Sequence, residues 1–253
     1  MYMLLSSLSL SEILFASNIS PLMLYALIRN GANISIAGCF TQYFFFGSFG
    51  SAESFTLSAM SCDRFLAICK PLHYRLITGP KMCLRLILIC WSLAFLVASI
   101  PLSFIKTLHF CGTNIIDHIF CDFTPLIKMA CTDTSIFETV VSLLSSVVTL
   151  LPCLIIIATY SFIIRTICRI PSSKGKEKAF STCSSHLGVV SVYYSTMVIA
   201  YVVPPGHLLV ENKVLSLLYT VINPFVNPFI YTLRNQEIKG VIIQYKKEIL
   251  NYF

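Results

Sequence analysis

Six stretches of this chain run without a single charged side chain: Ile13–Ile28, Asn30–Ala52, Leu86–Ile105, Thr139–Ile164, Ala179–Val210 and Val214–Leu233. A helix that crosses a bilayer needs roughly 20 mostly apolar residues, and each run reaches that length once its flanks are included. The first must extend back towards Met1, past Glu12, and the second on to Ile68, which places Glu53, Asp63 and Arg64 within it. The opening residues show neither a basic n-region nor a small-residue cleavage site, so they read as helix rather than as a signal peptide. Only 11% of the residues are charged and the mean hydropathy is +0.80, whereas a soluble domain carries about 25% charged residues. Disorder, a nucleic-acid arm and an ordinary cytosolic enzyme are excluded. The expected fold class is an all-α membrane protein.

The basic residues orient it. Lys70, Arg75, Lys81 and Arg85 follow the second run; Arg165, Arg169, Lys174, Lys176 and Lys178 separate the fourth and fifth; Arg234, Lys239, Lys246 and Lys247 follow the last. The opposite loops hold Arg29, Lys106, Lys128 and Lys213, so the richer side is cytoplasmic. The net charge of +7 is a topology signal and not a nucleic-acid patch. Six spans with a cytoplasmic C-terminus also place Met1 in the cytoplasm. Beyond Asn235, Ile238, Val241, Ile242, Tyr245, Ile249 and Tyr252 recur at helical spacing opposite Lys239, Lys246, Lys247 and Glu248. That pattern predicts an amphipathic helix on the inner leaflet, against the alternative of a frayed polar tail.

Three ordered motifs carry a resemblance. The second run ends Met60-Ser61-Cys62-Asp63-Arg64-Phe65-Leu66-Ala67-Ile68-Cys69 and continues Lys70-Pro71-Leu72-His73-Tyr74. Later come Lys178-Ala179-Phe180-Ser181-Thr182-Cys183-Ser184-Ser185-His186-Leu187 and Asn227-Pro228-Phe229-Ile230-Tyr231-Thr232-Leu233-Arg234-Asn235. The chain strongly resembles the olfactory receptors, a branch of the rhodopsin-like G-protein-coupled receptors, from Met1-Tyr2-Met3-Leu4-Leu5-Ser6-Ser7-Leu8-Ser9, which looks like the opening of that family's second helix, to the C-terminus. The resemblance implies a single receptor-type domain over residues 1–253: a rhodopsin-like bundle with six of the seven transmembrane helices, matching the second to the seventh, at about 1–28, 36–69, 83–104, 136–168, 178–203 and 213–233, and a short amphipathic helix at 235–250. The family's extracellular N-terminus and first helix have no counterpart.

Several residues acquire roles by that resemblance. A charged pair at a membrane boundary reads as a snorkelling anchor or a switch; the family motif makes Asp63 the partner that holds Arg64 when inactive and releases it to the G protein. Phe65 stands where the family usually has Tyr. Tyr160 matches a tyrosine that turns inward on activation, and Asn227, Pro228 and Tyr231 match the motif where the last helix changes direction; by chemistry alone both tyrosines read as interfacial belt residues. Glu53 precedes Arg64 by nearly three helical turns, on the same face. Glu12 and Glu53 match acidic positions resembling the rhodopsin-like sodium site, with Asn223 and Asn227 as further oxygen ligands. The residues alone leave a protonated, hydrogen-bonded Glu equally open. No other cofactor is expected.

The family pattern assigns disulfides Cys39–Cys121 and Cys111–Cys131, pinning the long outer loop as a lid, each worth about 2–4 kcal/mol. Zinc is the rival, with His109 and His118 nearby, but the spacing lacks a close Cys pair. Of two sequons, Asn18-Ile19-Ser20 and Asn33-Ile34-Ser35, only the second is expected in an exposed loop. A pocket is expected between the outer halves of the helices. Phe46, Gly47, Gly50 and Ser51 would line it from the second run. The resemblance adds Leu144, Ser145, Val148, Tyr194, Met197, Tyr201 and Thr220; helix packing is the alternative for many of these. Amine receptors of the wider class carry an Asp where Phe46 stands, and no charged residue falls on this stripe. A charged ligand would lack a partner there. The expected ligand is a neutral, mainly apolar odorant with one or two hydrogen-bonding atoms, met by Ser145, Tyr194 or Tyr201.

The expected function is that of an odorant receptor in the plasma membrane, multi-pass, activating a heterotrimeric stimulatory G protein to raise cAMP. The alternative is a non-signalling remnant, retained in the endoplasmic reticulum or forming oligomers with full-length receptors. A channel or transporter would show a polar lining or inverted repeats, and neither is found. Enzyme chemistry is not expected: His186 has no acid at a useful spacing, and paired carboxylates within hydrocarbon lack a substrate cleft.

Overall fold

A computed structural model of the protein describes residues 2–111, 115–116, 118–201, 217, 220–227, 229–230, 244–245 and 248. The helices are α1 (Tyr2–Arg29), α2 (Ile36–Cys69), α3 (Pro71–Ile77), α4 (Pro80–Ile105), α5 (Phe123–Lys128), α6 (Ser135–Cys168) and α7 (Ser173–Tyr201). Residues 220–227 are also helical. The chain forms two compact units, Met1–Asp63 with Leu72–Ala158, and Arg64–Pro71 with Thr159–Phe253. The expected helix at 213–233 and the amphipathic tail at 235–250 lie largely outside the described residues.

In the first unit, α1 buries Leu4, Leu8, Glu12, Phe15, Ile19 and Met23, a stripe at helical spacing, and exposes Ile13, Leu24 and Ile28. α4 follows the same logic. Cys83, Cys90, Ala94, Ala98, Pro101 and Ile105 face inward, while Leu84, Leu88, Ile89 and Leu96 face out. The small alanines let the backbones approach: a Cβ added to Gly47 of α2 would stand 3.6 Å from that of Ala98. Rings fill the rest of this seam, with Phe45 and Phe49 of α2 against Trp91 and Phe95 of α4 at centroid distances of 6.2–6.5 Å. The Trp91 indole N–H donates to Ser7 Oγ at 2.9 Å and ties α4 to α1.

Three of the described helices, α1, α4 and α6, are long and apolar enough to cross a membrane. α2 is equally long but falls short in apolarity for a physical reason: its polar side chains are enclosed. Between Ser48 and Asp63 it buries Ser51, Glu53, Ser54, Thr56, Ser58 and Ser61 together with Phe49, Ala52, Leu57 and Met60. Lipid-facing helices need apolar surface all along one side, whereas an enclosed helix can carry hydroxyls that bond to backbone, as Ser54 does to the Val148 carbonyl of α6 at 2.9 Å.

Short elements that hydropathy does not register appear at the turns. Pro71 and Pro80 open α3 and α4, where a missing N–H costs nothing. α6 begins with Thr134 and Glu138 bonded side chain to side chain at 2.6 Å, close to a capping box. In the second unit α7 starts at Ser173, before the expected 178, because Ser172 supplies a cap: its hydroxyl accepts from the Gly175 N–H at 3.3 Å and its carbonyl from Lys176 at 3.0 Å. α7 buries Cys183, His186, Val189 and Tyr193 along one face, and Thr196 bonds to Asn223 at 3.2 Å.

The distinction between enclosed and lipid-facing leucines is measurable. Leu57→Ala, at a fully buried site, should cost about 2–5 kcal/mol in thermal unfolding of the detergent-solubilised protein. Leu88→Ala, on the outward face of α4, should change the midpoint far less. Equal losses would contradict this packing.

Candidate functional site

The outer end of the first unit is the most cross-linked part of the chain. Cys39 at the start of α2 is bonded to Cys121, with Cα atoms 5.5 Å apart, and Cys111 to Cys131 at 6.0 Å. The second bridge is flanked by backbone bonds, Cys111 N–H to Met129 O at 3.2 Å and Cys131 N–H to His109 O at 2.9 Å. Cys39, Tyr43, Ile105, Cys121, Leu126, Phe137 and Val141 form one apolar cluster beneath the loop. Asp122 caps α5 by accepting from the Phe123 N–H at 2.7 Å. Its burial pushes the carboxyl above the ordinary carboxylate value, a rise partly offset by that N–H and by His118. Among the described residues, no three His, Cys, Asp or Glu side chains gather in a way that could hold a metal ion.

Phe46 occupies the middle of an aromatic column. Its ring lies 5.2 Å from Phe15 of α1 on one side and 5.2 Å from Phe120 of the outer loop on the other. Gly50, one turn further along α2, leaves the space beside Phe15: an added Cβ would stand 3.7 Å from that ring. Ser51 is buried, Leu144 and Val148 are half-buried, and Ser145 is exposed on α6. In the second unit Tyr194 and Met197 are half-buried, and Thr220 is buried, donating to the Leu217 carbonyl at 3.2 Å. Tyr201 is the last residue of α7.

Deeper in the first unit, Glu12 and Glu53 are each only 4% exposed. They lie close enough to act on each other's charge, and Glu53 Oε1 has no hydrogen-bond partner among the described residues. At the inner end of α2, Asp63 accepts from the Tyr74 hydroxyl of α3 at 3.4 Å. The second unit holds Arg64, whose Nε is likewise without a hydrogen-bond partner among the described residues. In this unit Tyr160 stacks on His186, rings 12° apart, and its hydroxyl meets His186 Nδ1 at 2.8 Å. Asn223 is engaged with Thr196 and Asn227 is fully buried. Pro228 and Tyr231 lie outside the described residues.

A family model described as "Olfactory receptor" matches residues 1–248. The chain belongs to the olfactory receptor family. It is 42% identical to gorilla olfactory receptor 1E2 (Gorilla gorilla gorilla) over 243 residues, covering 96% of this chain and 77% of that protein. Human olfactory receptor 2AP1 (Homo sapiens) is 43% identical over 256 residues, covering 99% and 82%. Squid rhodopsin shares the fold, with a TM-score of 0.74 at 17% identity over 98% of this chain and 72% of that one. As a member of this family the chain is a multi-pass membrane protein, a receptor and not an enzyme.

Two buried polar side chains take their setting from partners that the sequence does not name. Gln42, 5% exposed, is bonded to both α1 and the outer loop; the available signal was a lone amide one turn after Cys39 in an otherwise apolar run. His186 stands in the Ser184-Ser185-His186 motif, and a histidine buried in a membrane helix demands a partner, here Tyr160.

Asp122 supplies a pH test. Its raised folded-state value means that folding favours the protonated carboxyl, so its contribution is present below the ordinary value of 3.8 and is lost as pH rises through the folded value. Asp122→Asn keeps an oxygen for the Phe123 N–H and removes the titration. Unfolding midpoints measured between about pH 4 and pH 7 should fall less steeply with pH in the variant; identical slopes would exclude Asp122 as the titrating group.

Proposed function

We propose that this chain is an odorant receptor for a small, neutral, mainly apolar ligand and that it activates a stimulatory G protein, raising cAMP. The observation that carries the ligand class is the α2 wall. Phe46 stands between Phe15 and Phe120, followed by Gly47, Gly50 and Ser51, and the positions of this wall itself carry no charged side chain. Bringing an unpaired charge into such surroundings is far costlier than bringing an apolar body with one hydroxyl or carbonyl. Ser51, buried beside Gly50, supplies a hydroxyl.

Arg64 is the proposed contact to the G protein. Odorant binding shifts the inactive-active equilibrium only by its difference in affinity for the two states. Asp63 and the Tyr74 hydroxyl, 3.4 Å apart, define the inactive end of that switch, and the buried Tyr160–His186 pair is the element whose rearrangement accompanies it. Below the ligand wall, the Glu12–Glu53 pair fits a monovalent cation such as sodium: two enclosed carboxyls repel each other, and Glu53 Oε1 lacks a hydrogen-bond donor. A bound cation would supply charge balance there and favour the resting state.

The test is cAMP in cells expressing the chain with a stimulatory G protein, over odorants paired by shape as neutral and ionised forms. Neutral members should be the more potent by at least roughly tenfold, about 1.4 kcal/mol of discrimination. Arg64→Ala should abolish the response at unchanged surface level. An ionised odorant as best agonist, or full signalling by Arg64→Ala, would overturn the respective half of the proposal.

A further inference from the structure

We infer that Gln42 is a positioning residue that seats the outer loop on the ligand wall; the inference deepens the odorant-receptor reading and rests on it for its effect on ligand choice. Cys39, Gln42 and Phe46 are spaced by three and four residues, so they share one face of α2. Each meets the loop differently. Cys39 holds Cys121 through the disulfide, Gln42 Oε1 accepts from the Cys121 backbone N–H at 3.0 Å, and Phe46 packs on the preceding residue, Phe120.

The Gln42 amide also reaches α1. Its Nε2 donates to the Asn18 carbonyl at 3.1 Å, and Asn18 Nδ2 donates back to the Gln42 carbonyl at 3.0 Å. Pro21 lies in the next turn of α1; it has no N–H to offer the Ser17 carbonyl, next to the one that Gln42 engages. One amide orientation alone satisfies this site. A flipped amide would set N–H against the Cys121 N–H and oxygen against the Asn18 carbonyl.

A disulfide tethers the Cys121 side chain but leaves the chain free to turn about the side-chain bonds. The bond to Gln42 fixes the peptide plane between Phe120 and Cys121, and so fixes where Phe120 projects. Phe120 is 2% exposed and faces Phe46. Gln42 thereby sets the gap between the loop and the α2 wall, the dimension that selects ligands by size. Its part is played through Phe120 and Phe46 and requires no contact with the ligand.

Two variants separate this role from simple stability. Gln42→Met keeps the shape and loses both amide bonds. Gln42→Glu, neutral in this buried place, can still accept from Cys121 and donate to Asn18. In the purified protein, hydrogen exchange of peptides spanning residues 118–122 should quicken roughly three- to tenfold in Gln42→Met, the range set by one lost hydrogen bond, and return towards the native rate in Gln42→Glu. In cells, the potency ratio of a short to a long straight-chain aldehyde should shift severalfold in Gln42→Met at unchanged maximal cAMP, and recover in Gln42→Glu. Native exchange in Gln42→Met, or equal acceleration in both variants, would overturn the inference. Expected exchange together with no aldehyde response even in the unaltered protein would leave the seat standing and count against the odorant reading instead. Expected exchange with an unchanged potency ratio would overturn the link to ligand size.

Discussion

A hydrocarbon layer offers no water, so each amide, hydroxyl and carboxyl that enters it must find its partner within the protein. α2 concentrates that obligation. Gln42, Ser48, Ser54, Glu53, Ser61 and Asp63 all lie buried along it. Partners are found locally, as in Ser61 Oγ to the Ser58 carbonyl at 2.7 Å, or on other elements, as in Ser54 to Val148 and Asp63 to Tyr74, while Glu53 Oε1 has none among the described residues. The helices that stand out as apolar spans, α1, α4 and α6, are those that turn leucine and isoleucine outward. The division of labour between polar α2 and its apolar neighbours is what a bundle in lipid requires.

The same helix links the features that matter for function. At its outer end a disulfide, an amide clamp and a ring contact hold the loop; a turn or two inward, two glycines and a serine interrupt the aromatic surface; deeper still sits Glu53; and at the inner end come Asp63 and Arg64. On the proposed function, a ligand's preference among shapes of the bundle has to be felt at the G-protein face. Up to Asp63 these groups follow one another along α2, and within the second unit the Tyr160–His186 pair is a further buried polar contact.

Much of this was legible in the chain itself. The charge-free runs mark the apolar spans α1, α4 and α6 because lipid imposes a nearly binary code. The Asp63-Arg64, Ser185-His186 and Asn227-Pro228 motifs carry the family. Less legible were the features decided by pairing. The bonds from Gln42 to Asn18 and Cys121, from Trp91 to Ser7 and from Tyr160 to His186 join residues far apart in sequence, and hydropathy says only that such groups need partners. Short α3 and α5 escaped because helices of a turn or two carry no periodic signal. The early start of α7 depends on one cap at Ser172, a local effect that a charge-based boundary overlooks.

The most direct measurement is nucleotide exchange on a purified stimulatory G protein with this receptor in lipid nanodiscs, with and without a saturating neutral odorant drawn from the responders in cells. The account predicts that odorant accelerates exchange only when receptor is present, and that an ionised analogue of the same shape does so weakly or not at all. Exchange indifferent to any neutral odorant, or driven best by the ionised analogue, would contradict it.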